Sequence, residues 1–190
     1  GQAGFDLAIT ATTGRIEARR AELMAEGFAV TAFQGDLTDP ATVTRLYDTT
    51  GPATVLVNNA GMGSVLAPAE QMAFLDMTAD QWRRQMDVTL TTAVLVTRAF
   101  LPAMVERGRG SIIAISSIAG MRYLGYPHLA YGVTKAAVTH FTRMVAQQYA
   151  GQGVRANTVV PGLIDTPRIA NTVARMFSDT SLDEARAARA

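Results

Sequence analysis

Tyr131 and Lys135 stand four residues apart, a spacing that places two side chains on one face of a helix. Apolar residues recur at helical intervals through 129–150, which predicts a helix there. A nearby ammonium favours the phenolate and lowers the pKa of a tyrosine, so Tyr131 would become a general acid or base near neutral pH. Lys135 is the only lysine in a chain that otherwise uses arginine, and lysine alone offers a compact ammonium with a shiftable pKa. The alternative is an ordinary helix face with a partly buried tyrosine and a solvated lysine.

Other side chains capable of chemistry follow short apolar runs that are typical of buried strands. These pairs of strand and motif are 112–115 before Ser116 and Ser117, 54–57 before Asn58–Gly61, 28–33 before Asp36, and 154–160 before Pro161–Thr166. Helical patterns separate the strands at about 16–25, 41–47, 79–106 and 130–149. Alternating strands and helices predict an α/β fold with a parallel sheet, in which functional groups gather at the carboxyl ends of the strands.

In this order and at these spacings, the motifs resemble those of the short-chain dehydrogenase/reductase family, from about Phe5 to Thr166. The resemblance implies a Rossmann-type doubly wound parallel sheet in three αβα layers, and an NAD(P)-dependent carbonyl reductase or alcohol dehydrogenase. The chain is similar overall to 3-oxoacyl-[acyl-carrier-protein] reductases, although steroid, sugar and polyol dehydrogenases share the same motifs.

The resemblance also implies roles for individual residues. Tyr131 would be the acid or base, and Lys135 would lower the pKa of Tyr131 and bind the nicotinamide ribose. Ser117 would hold the substrate oxygen, with Ser116 as the less favoured neighbour. Asp36 would accept a hydrogen bond from the adenine amino group beside the Leu37 backbone. Asn58, Ala60 and Gly61 would line the ribose and stabilise the central strand, and the remaining implied cofactor contacts are Pro161, Gly162, Ile164 and Thr166 at the nicotinamide carboxamide.

The chain departs from the family pattern at Thr89, where the long helix usually carries an asparagine that helps hold a proton-relaying water. A threonine hydroxyl is shorter and lacks the amide pair, so we expect slower or differently routed proton transfer through Thr89. The substitution motivates an alternative hypothesis, a cofactor-binding protein with impaired catalysis. A hydrolase with a Ser–Lys pair is a third hypothesis, although no Gly-x-Ser-x-Gly sequence surrounds Ser117.

A second departure is that the family's first strand and glycine-rich phosphate loop are not in the sequence, nor is its last strand. Loss of the first strand would leave unpaired ladder groups in the middle of the sheet, so a longer native chain is expected. We therefore expect residues 1–190 to form a single NAD(P)-binding Rossmann domain that lacks these segments. Residues 168–190 occupy the place of the family's substrate lid.

The residues that follow the second strand of the family pattern bear on the choice of cofactor. NAD-preferring folds place a carboxylate there, whereas the corresponding stretch of this chain, residues 9–15 at the end of a predicted strand over 6–10, carries Thr12 and Arg15 and no acidic residue. Small hydroxyls and a guanidinium suit the 2′-phosphate, so NADP(H) is favoured over NAD(H). The alternative is that Arg15 is a solvated residue at the start of a helix.

Composition limits the other classes of function. A net charge of +1 gives no electrostatic case for nucleic acid, and no apolar run long enough for a membrane span is present. Zero cysteines and only two histidines, His128 and His140, predict no metal site and suit a cytoplasmic enzyme. The apolar residues of 168–190 suit a ketone, alcohol or acyl thioester substrate. The resemblance implies a homodimer or homotetramer. His128 is interpreted as a loop residue, with the border of the substrate cleft as its alternative place.

Overall fold

The computed structural model describes residues 4–61, 73–124, 128–162 and 164. Strands and helices alternate in these ranges, as the sequence pattern predicts; the ends of the elements differ from the predicted bounds, and the helix predicted over 79–106 is divided in two. The strands are β1 (Leu7–Ala11), β2 (Val30–Gln34), β3 (Val55–Asn58), β4 (Gly110–Ile115) and β5 (Val154–Val159). The helices are α1 (Arg15–Ala25), α2 (Pro40–Thr50), α3 (Ala79–Met86), α4 (Thr92–Glu106) and α5 (Leu129–Tyr149).

Every described strand pair is parallel, in agreement with the predicted α/β class. β1 pairs with β2, from Leu7 opposite Val30 to Ala11 opposite Gln34. β4 lies between β3 and β5 in a second sheet. The carboxyl ends of β3, β4 and β5 therefore lie at one edge, which is where the sequence places its polar motifs. The additional strand that the resemblance implies stays a prediction.

Helix α4 links the two halves of the apolar core. One face carries Val96 and Phe100, and the Phe100 ring meets the Tyr47 ring edge-on with centroids 5.1 Å apart. The other face carries Leu101 and Met104, and Met104 is 0% exposed. The partners of the first face are Leu37, Val43 and Leu46, and those of the second are Ile112, Val145 and Val154. This packing fixes α4 relative to β4 and α5, the two elements that carry the candidate catalytic residues.

The helix predicted over 79–106 is interrupted by a π-helical turn, Asp87–Thr91, between α3 and α4. The Thr92 hydroxyl donates to the Asp87 carbonyl five residues earlier at 3.0 Å, which matches the wider spacing of such a turn. The turn contains β-branched Val88 and Thr89, which fit an ordinary α-helix less well than straight side chains. π-turns occur often at functional sites, and this one carries Thr89.

The helical stretch Ala79–Glu106 spans 28 residues and is long and apolar enough to cross a membrane by length and composition alone. A core helix of a folded domain passes the same test, and the α4 part of this stretch packs into both core clusters. The expectation that the chain has no membrane span stays a prediction.

The chain divides into two compact units, residues 1–160 and 161–190. All the strands and helices given above belong to the first unit. In the second unit the described residues are Pro161, Gly162 and Ile164, and Ile164 is 60% exposed. Thr166 and the predicted lid over 168–190 lie outside the described residues, so the single-domain and lid expectations stay predictions.

Candidate active site

The two serines that follow β4 have different surroundings. Ser116 is buried, donates its hydroxyl to the Lys135 carbonyl at 2.8 Å and accepts from the Thr139 hydroxyl at 2.8 Å. Ser117 accepts from the Ala119 backbone N–H at 3.2 Å, and no hydrogen bond donated by its hydroxyl is seen among the described residues. Ser116 therefore ties β4 to α5, while Ser117 keeps a hydrogen to offer to a substrate oxygen.

Ser117 begins a short 3₁₀ turn, Ile118–Gly120, which we call the serine turn. The serine turn lies directly against α5, because a Cβ at Gly120 would stand only 2.7 Å from the Ala136 nitrogen and 2.8 Å from the Lys135 carbonyl carbon. Glycine is required at this position for the close approach. The contact places Ser117 next to the part of α5 that carries the other candidate catalytic residues.

Tyr131 and Lys135 lie on the first turns of α5, as their spacing predicts. The Lys135 nitrogen is 5.7 Å from the centroid of the Tyr131 ring and donates to the Ile115 carbonyl at 2.7 Å. The side chain is only 6% exposed, and burial lowers the pKa of Lys135 from its usual value. The burial of Lys135 contradicts the alternative hypothesis, in which the lysine is solvated. The catalytic roles of Tyr131 and Lys135 remain predictions.

Thr89 also reaches this site. A Cβ at Gly61 would lie 3.5 Å from the Lys135 nitrogen, 3.5 Å from the Thr89 methyl carbon and 3.6 Å from the Thr89 hydroxyl oxygen, so both side chains lie near the Gly61 backbone. The Thr89 oxygen accepts from the Gln85 amide at 3.0 Å, and both residues are buried. Gln85 was not predicted as a site residue from the sequence. Its position four residues before Thr89, on the same helix face, is the signal that would have indicated it.

The residues predicted to hold the adenosine part of the cofactor lie at the ends of β1 and β2. Thr12 and Arg15 are exposed after β1, and Asp36 is exposed after β2. One Asp36 oxygen accepts from the Thr38 N–H at 3.0 Å and from its hydroxyl at 2.8 Å. The Leu37 side chain is buried in the core, which leaves its backbone for the predicted contact. The arrangement brings these residues to one edge of the β1–β2 sheet.

The motif that follows β3 contains one buried residue with a structural contact and two exposed residues. Asn58 is buried and donates its side-chain amide to the Thr97 hydroxyl at 2.8 Å, which ties β3 to α4. Ala60 and Gly61 follow and are exposed, with Gly61 beside Lys135. The predicted stabilising role of Asn58 thus has a visible partner, whereas its contact with the cofactor stays a prediction. The same holds for the predicted contacts of Pro161, Gly162 and Ile164 in the second unit.

A cavity of about 560 Å³ lies beside the serine turn and the start of α5. Its wall is largely apolar and includes the aromatic side chains of Phe74 and Tyr123. Arg122 and His128 supply polar groups, and the His128 ring lies 6.0 Å from the Tyr131 ring. His128 immediately precedes α5 and lines this cavity, which corresponds to the alternative place considered from the sequence. Among the described residues no group of three His, Asp or Glu side chains is placed to hold a metal ion.

A family model described as short chain dehydrogenase matches residues 1–176. The chain belongs to the short-chain dehydrogenase family. A curated relative, the 2-keto-3-deoxy-L-fuconate dehydrogenase of Xanthomonas campestris pv. campestris, is 40% identical over 158 residues. That match covers 83% of this chain and 50% of the relative, so the chain spans about half the length of this dehydrogenase.

Solved structures of the short-chain dehydrogenase family share the fold of the chain. A 3-oxoacyl-[acyl-carrier protein] reductase with bound NAD from Brucella melitensis is 32% identical, with a TM-score of 0.79 over 86% of this chain and 63% of that one. A variant of the actinorhodin polyketide ketoreductase with NADPH is 28% identical, with a TM-score of 0.85 over 97% of this chain and 72% of that one. The Rossmann-type α/β fold and the family resemblance predicted from the sequence are confirmed.

Proposed function

We propose that the protein is an NAD(P)-dependent oxidoreductase that interconverts an alcohol and a ketone. The observation that carries the proposal is the buried Lys135 ammonium, held by the Ile115 carbonyl beside the Tyr131 ring. Burying an ammonium is costly unless hydrogen bonds compensate, and perturbed titratable groups cluster at functional sites. Family membership and the available hydroxyl of Ser117 at the end of β4 support the same conclusion.

The chemistry follows from what the side chains can donate and accept. In reduction, the Ser117 hydroxyl donates to the carbonyl oxygen of the substrate, and the Tyr131 phenol gives its proton to that oxygen. The Lys135 ammonium stabilises the phenolate that Tyr131 becomes. In oxidation, the Tyr131 phenolate takes the hydroxyl proton of the alcohol. When bound, the nicotinamide supplies or accepts the hydride.

The residues at the ends of β1 and β2 fit a dinucleotide. Asp36 keeps one carboxylate oxygen without a described partner, which suits the adenine amino group. Thr12 and Arg15 are exposed and the sequence has no acidic residue between them, so we propose NADP(H) as the preferred cofactor. The guanidinium of Arg15 can bind a 2′-phosphate through charged hydrogen bonds. The related structures with NAD and with NADPH support binding of this class of cofactor and leave the preference as a proposal.

The cavity beside the serine turn would suit a substrate with an apolar portion, because Phe74, Tyr123 and other largely apolar side chains form most of its wall. Its lining residues lie close to Ser117 and Tyr131 in the chain but do not include them, so we propose that it holds the part of the substrate away from the reacting carbonyl. An acyl thioester of the 3-oxoacyl type fits this description and agrees with the likeness to the Brucella reductase. Arg122 is exposed at the cavity and has no ion pair with a described residue, which favours substrates with an acidic group. The fuconate named for the Xanthomonas relative makes keto acids the second class to test.

The test is turnover by the purified full chain. NADPH and NADH oxidation would be followed with 3-oxoacyl thioesters, keto acids, cyclic ketones and keto sugars. Tyr131→Phe removes the transferable proton and keeps the ring, so turnover should fall by about 10²–10⁴-fold while cofactor binding persists. Turnover that survives this substitution would contradict the assigned role of Tyr131.

A second candidate, a cofactor-binding protein with impaired catalysis, is favoured by one observation, the threonine at position 89. Tight NADPH binding without turnover of any carbonyl compound would support this candidate over the reductase. The third hypothesis, a Ser–Lys hydrolase, gains no support from the contacts. The Lys135 nitrogen donates to the Ile115 carbonyl, and no hydrogen bond among the described residues joins Lys135 to the Ser117 hydroxyl.

We also propose a homodimer or homotetramer in the cytoplasm that acts on small molecules, without nucleic acid or membrane partners. Leu129, Val133 and Met144 are large apolar side chains of α5 that are at least 38% exposed, and burial in a second copy would remove them from water. Light scattering after size-exclusion chromatography gives the number of copies, and a monomer at micromolar concentration would contradict the proposal.

A further inference from the structure

Three oxygen atoms join the end of β4 to α5. The Ser116 hydroxyl lies 2.8 Å from the Lys135 carbonyl oxygen, and the Thr139 hydroxyl lies 2.8 Å from the Ser116 oxygen and 3.0 Å from the same carbonyl. Every pair of these atoms is within hydrogen-bond distance. We call this group the oxygen triangle. It links the strand to the backbone of the residue whose ammonium binds the Ile115 carbonyl.

The strand side of the oxygen triangle is held by the sheet. The Ser116 N–H donates to the Val159 carbonyl of β5 at 2.8 Å, and Ser116 is only 3% exposed. Ser116 also follows directly after Ile115, the last residue of β4. Because the sheet fixes Ser116, the bond from its hydroxyl to the Lys135 carbonyl sets the position of α5 relative to the strand end.

Thr139 supplies the second hydroxyl of the triangle. A carbonyl only accepts, whereas each hydroxyl has one hydrogen to donate. When Thr139 donates to the Ser116 oxygen, the Ser116 hydrogen is directed to the Lys135 carbonyl, and both hydroxyls are satisfied. Thr142 shows the ordinary arrangement on α5, because its hydroxyl donates to the Val138 carbonyl four residues earlier at 2.8 Å. Thr139 differs from Thr142 in having a partner on another element.

Lys135 is bonded to the strand end at both ends of the residue. Its carbonyl accepts from Ser116 at 2.8 Å, and its ammonium donates to the Ile115 carbonyl at 2.7 Å. Ile115 and Ser116 are consecutive, so a shift of α5 away from β4 would lengthen both bonds. Lys135 is 6% exposed, and loss of an acceptor is costly for a buried ammonium. The bond at the carbonyl therefore supports the bond at the ammonium.

We propose that Thr139 is a positioning residue, which acts through Ser116 to hold α5 where the Lys135 ammonium reaches the end of β4. Tyr131, Lys135 and Thr139 are spaced by four residues on α5, so Thr139 continues the helix face of the two candidate catalytic residues by one turn. Thr139 is not assigned a contact with substrate or cofactor. The kinetic consequence rests on the proposed function, whereas the effect on the surroundings of the lysine does not.

Three substitutions on α5 separate this role from a general loss of stability. Thr139→Val keeps the branched shape and removes the hydroxyl, whereas Thr139→Ser keeps a hydroxyl and should behave as wild type. Thr142→Val is the matched control, because it removes a buried hydroxyl from the same helix that donates to a carbonyl of that helix. A loss of stability alone should appear as a lower Tm in both valine variants. Only Thr139→Val should also change the lysine and the rate.

Few charges surround the ammonium of Lys135. Tyr131 is the titratable group beside it, and Tyr149 lies at the far end of α5. The charged and histidine side chains within α5 and on the described elements packed against it are exposed: Asp80, Arg83, Arg84, Asp87, Arg98, Glu106, His140, Arg143 and Arg155. None of these groups is altered in the threonine variants, so a changed pKa of Lys135 can be assigned to the bond of its ammonium.

Because Lys135 is the only lysine of the sequence, lysine labelled with carbon-13 at Cε gives a single NMR signal, and Lys135→Arg confirms its assignment. Titration of this signal measures the pKa of Lys135 in the full chain without any substrate. Burial lowers this pKa, and an acceptor for the ammonium opposes the effect. Thr139→Val and Ser116→Ala should therefore each lower the pKa further. Thr139→Ser and Thr142→Val should leave it at the wild-type value.

Kinetics provide the second readout. kcat should fall by about three- to tenfold in Thr139→Val, as expected for one hydrogen bond, while KM stays within about twofold of wild type. Thr139→Ser should recover the rate, and Thr142→Val should keep it. The double variant Ser116→Ala/Thr139→Val should lose no more than Ser116→Ala alone, because Thr139 acts through the Ser116 hydroxyl.

An unchanged pKa of Lys135 in folded Thr139→Val would overturn the inference, and so would an equal shift in Thr142→Val or additive losses in the double variant. If Thr139→Val does not fold, Thr139→Ala decides the matter, since alanine also lacks the hydroxyl and is the residue most favoured in helices. A wild-type protein that turns over no carbonyl compound would overturn the proposed function alone, because the NMR titration still decides the role of Thr139.

Discussion

Replacement of Gly120 by alanine tests whether the serine turn must touch α5 for the site to work. A Cβ at Gly120 would lie 2.7 Å from the Ala136 nitrogen and 2.8 Å from the Lys135 carbonyl carbon. Both atoms belong to the backbone of a helix and cannot rotate away. Since comfortable separations between such atoms are about 3.5–4.0 Å, the turn must retreat from α5 by roughly 1 Å.

The retreat would carry Ser117 with it, because the Gly120 N–H donates to the Ser117 carbonyl at 2.9 Å. Tyr131 and Lys135 would stay with α5. A misplacement of about 1 Å in a catalytic arrangement costs about 100-fold in rate. We therefore expect kcat/KM to fall by about 100-fold, or about 2.7 kcal/mol of transition-state stabilisation. Overpacking should also lower the free energy of unfolding by about 1–3 kcal/mol.

The assay is NAD(P)H oxidation with the best substrate of the wild-type protein, at a temperature well below the Tm of the variant. Gly151→Ala is the matched control, since a Cβ there would meet nothing within 4 Å, and it should retain wild-type activity. Gly132→Ala would disturb the same contact from the side of α5, because a Cβ at Gly132 would lie 2.8 Å from the Ala119 oxygen of the serine turn. This variant should also lose activity. Wild-type kcat/KM in folded Gly120→Ala would refute the coupling of Ser117 to α5 through this turn.

Three further predictions concern the scaffold and the cofactor. Met104→Ala should lower the free energy of unfolding in urea by about 2–5 kcal/mol, because Met104 is 0% exposed and its removal leaves a cavity. Hydrogen bonds from the Thr42 hydroxyl and the Ala41 N–H hold the pKa of Asp39 below 3.8, so this carboxylate stabilises the fold above that pH and loses its effect as the pH falls through the folded value. The difference in Tm between wild type and Asp39→Asn should therefore shrink on acidification, and a constant difference would contradict the assignment. Arg15→Ser should raise KM for NADPH by about ten- to 100-fold and leave KM for NADH nearly unchanged, as expected for loss of charged hydrogen bonds to a phosphate; equal effects on both would show that Arg15 does not select the cofactor.

Local patterns in the sequence were sufficient to predict the α/β class and the order of strands and helices. Apolar runs followed by polar residues predict the strands and their functional ends, because burial and chain reversal are decided within a few residues. The spacing of Tyr131 and Lys135 predicts a shared helix face for the same reason, and α5 has both on its first turns. Family membership confirms the resemblance drawn from these motifs.

Long-range contacts could not be predicted in this way. Ser116 and Ser117 are adjacent and identical, and only the approach of α5 makes Ser116 a structural bridge to the Lys135 carbonyl. The π-turn was missed because one extra residue in a turn hardly changes the apolar period of a long helix. The hydrogen bond between Gln85 and Thr89 was not predicted either, although the two residues are four apart.

The contacts between β4 and α5 explain how a site of this kind can be positioned by the scaffold. Lys135 is bonded twice to the end of β4, through its ammonium to the Ile115 carbonyl and through its own carbonyl to the Ser116 hydroxyl. The first bond sets where the charge lies, and the second sets where the helix lies. Because Ser117 follows directly and Tyr131 is one turn away, both candidate catalytic hydroxyls are held by bonds within the protein. Such preorganisation keeps the geometry independent of the substrate, which is what efficient proton transfer requires.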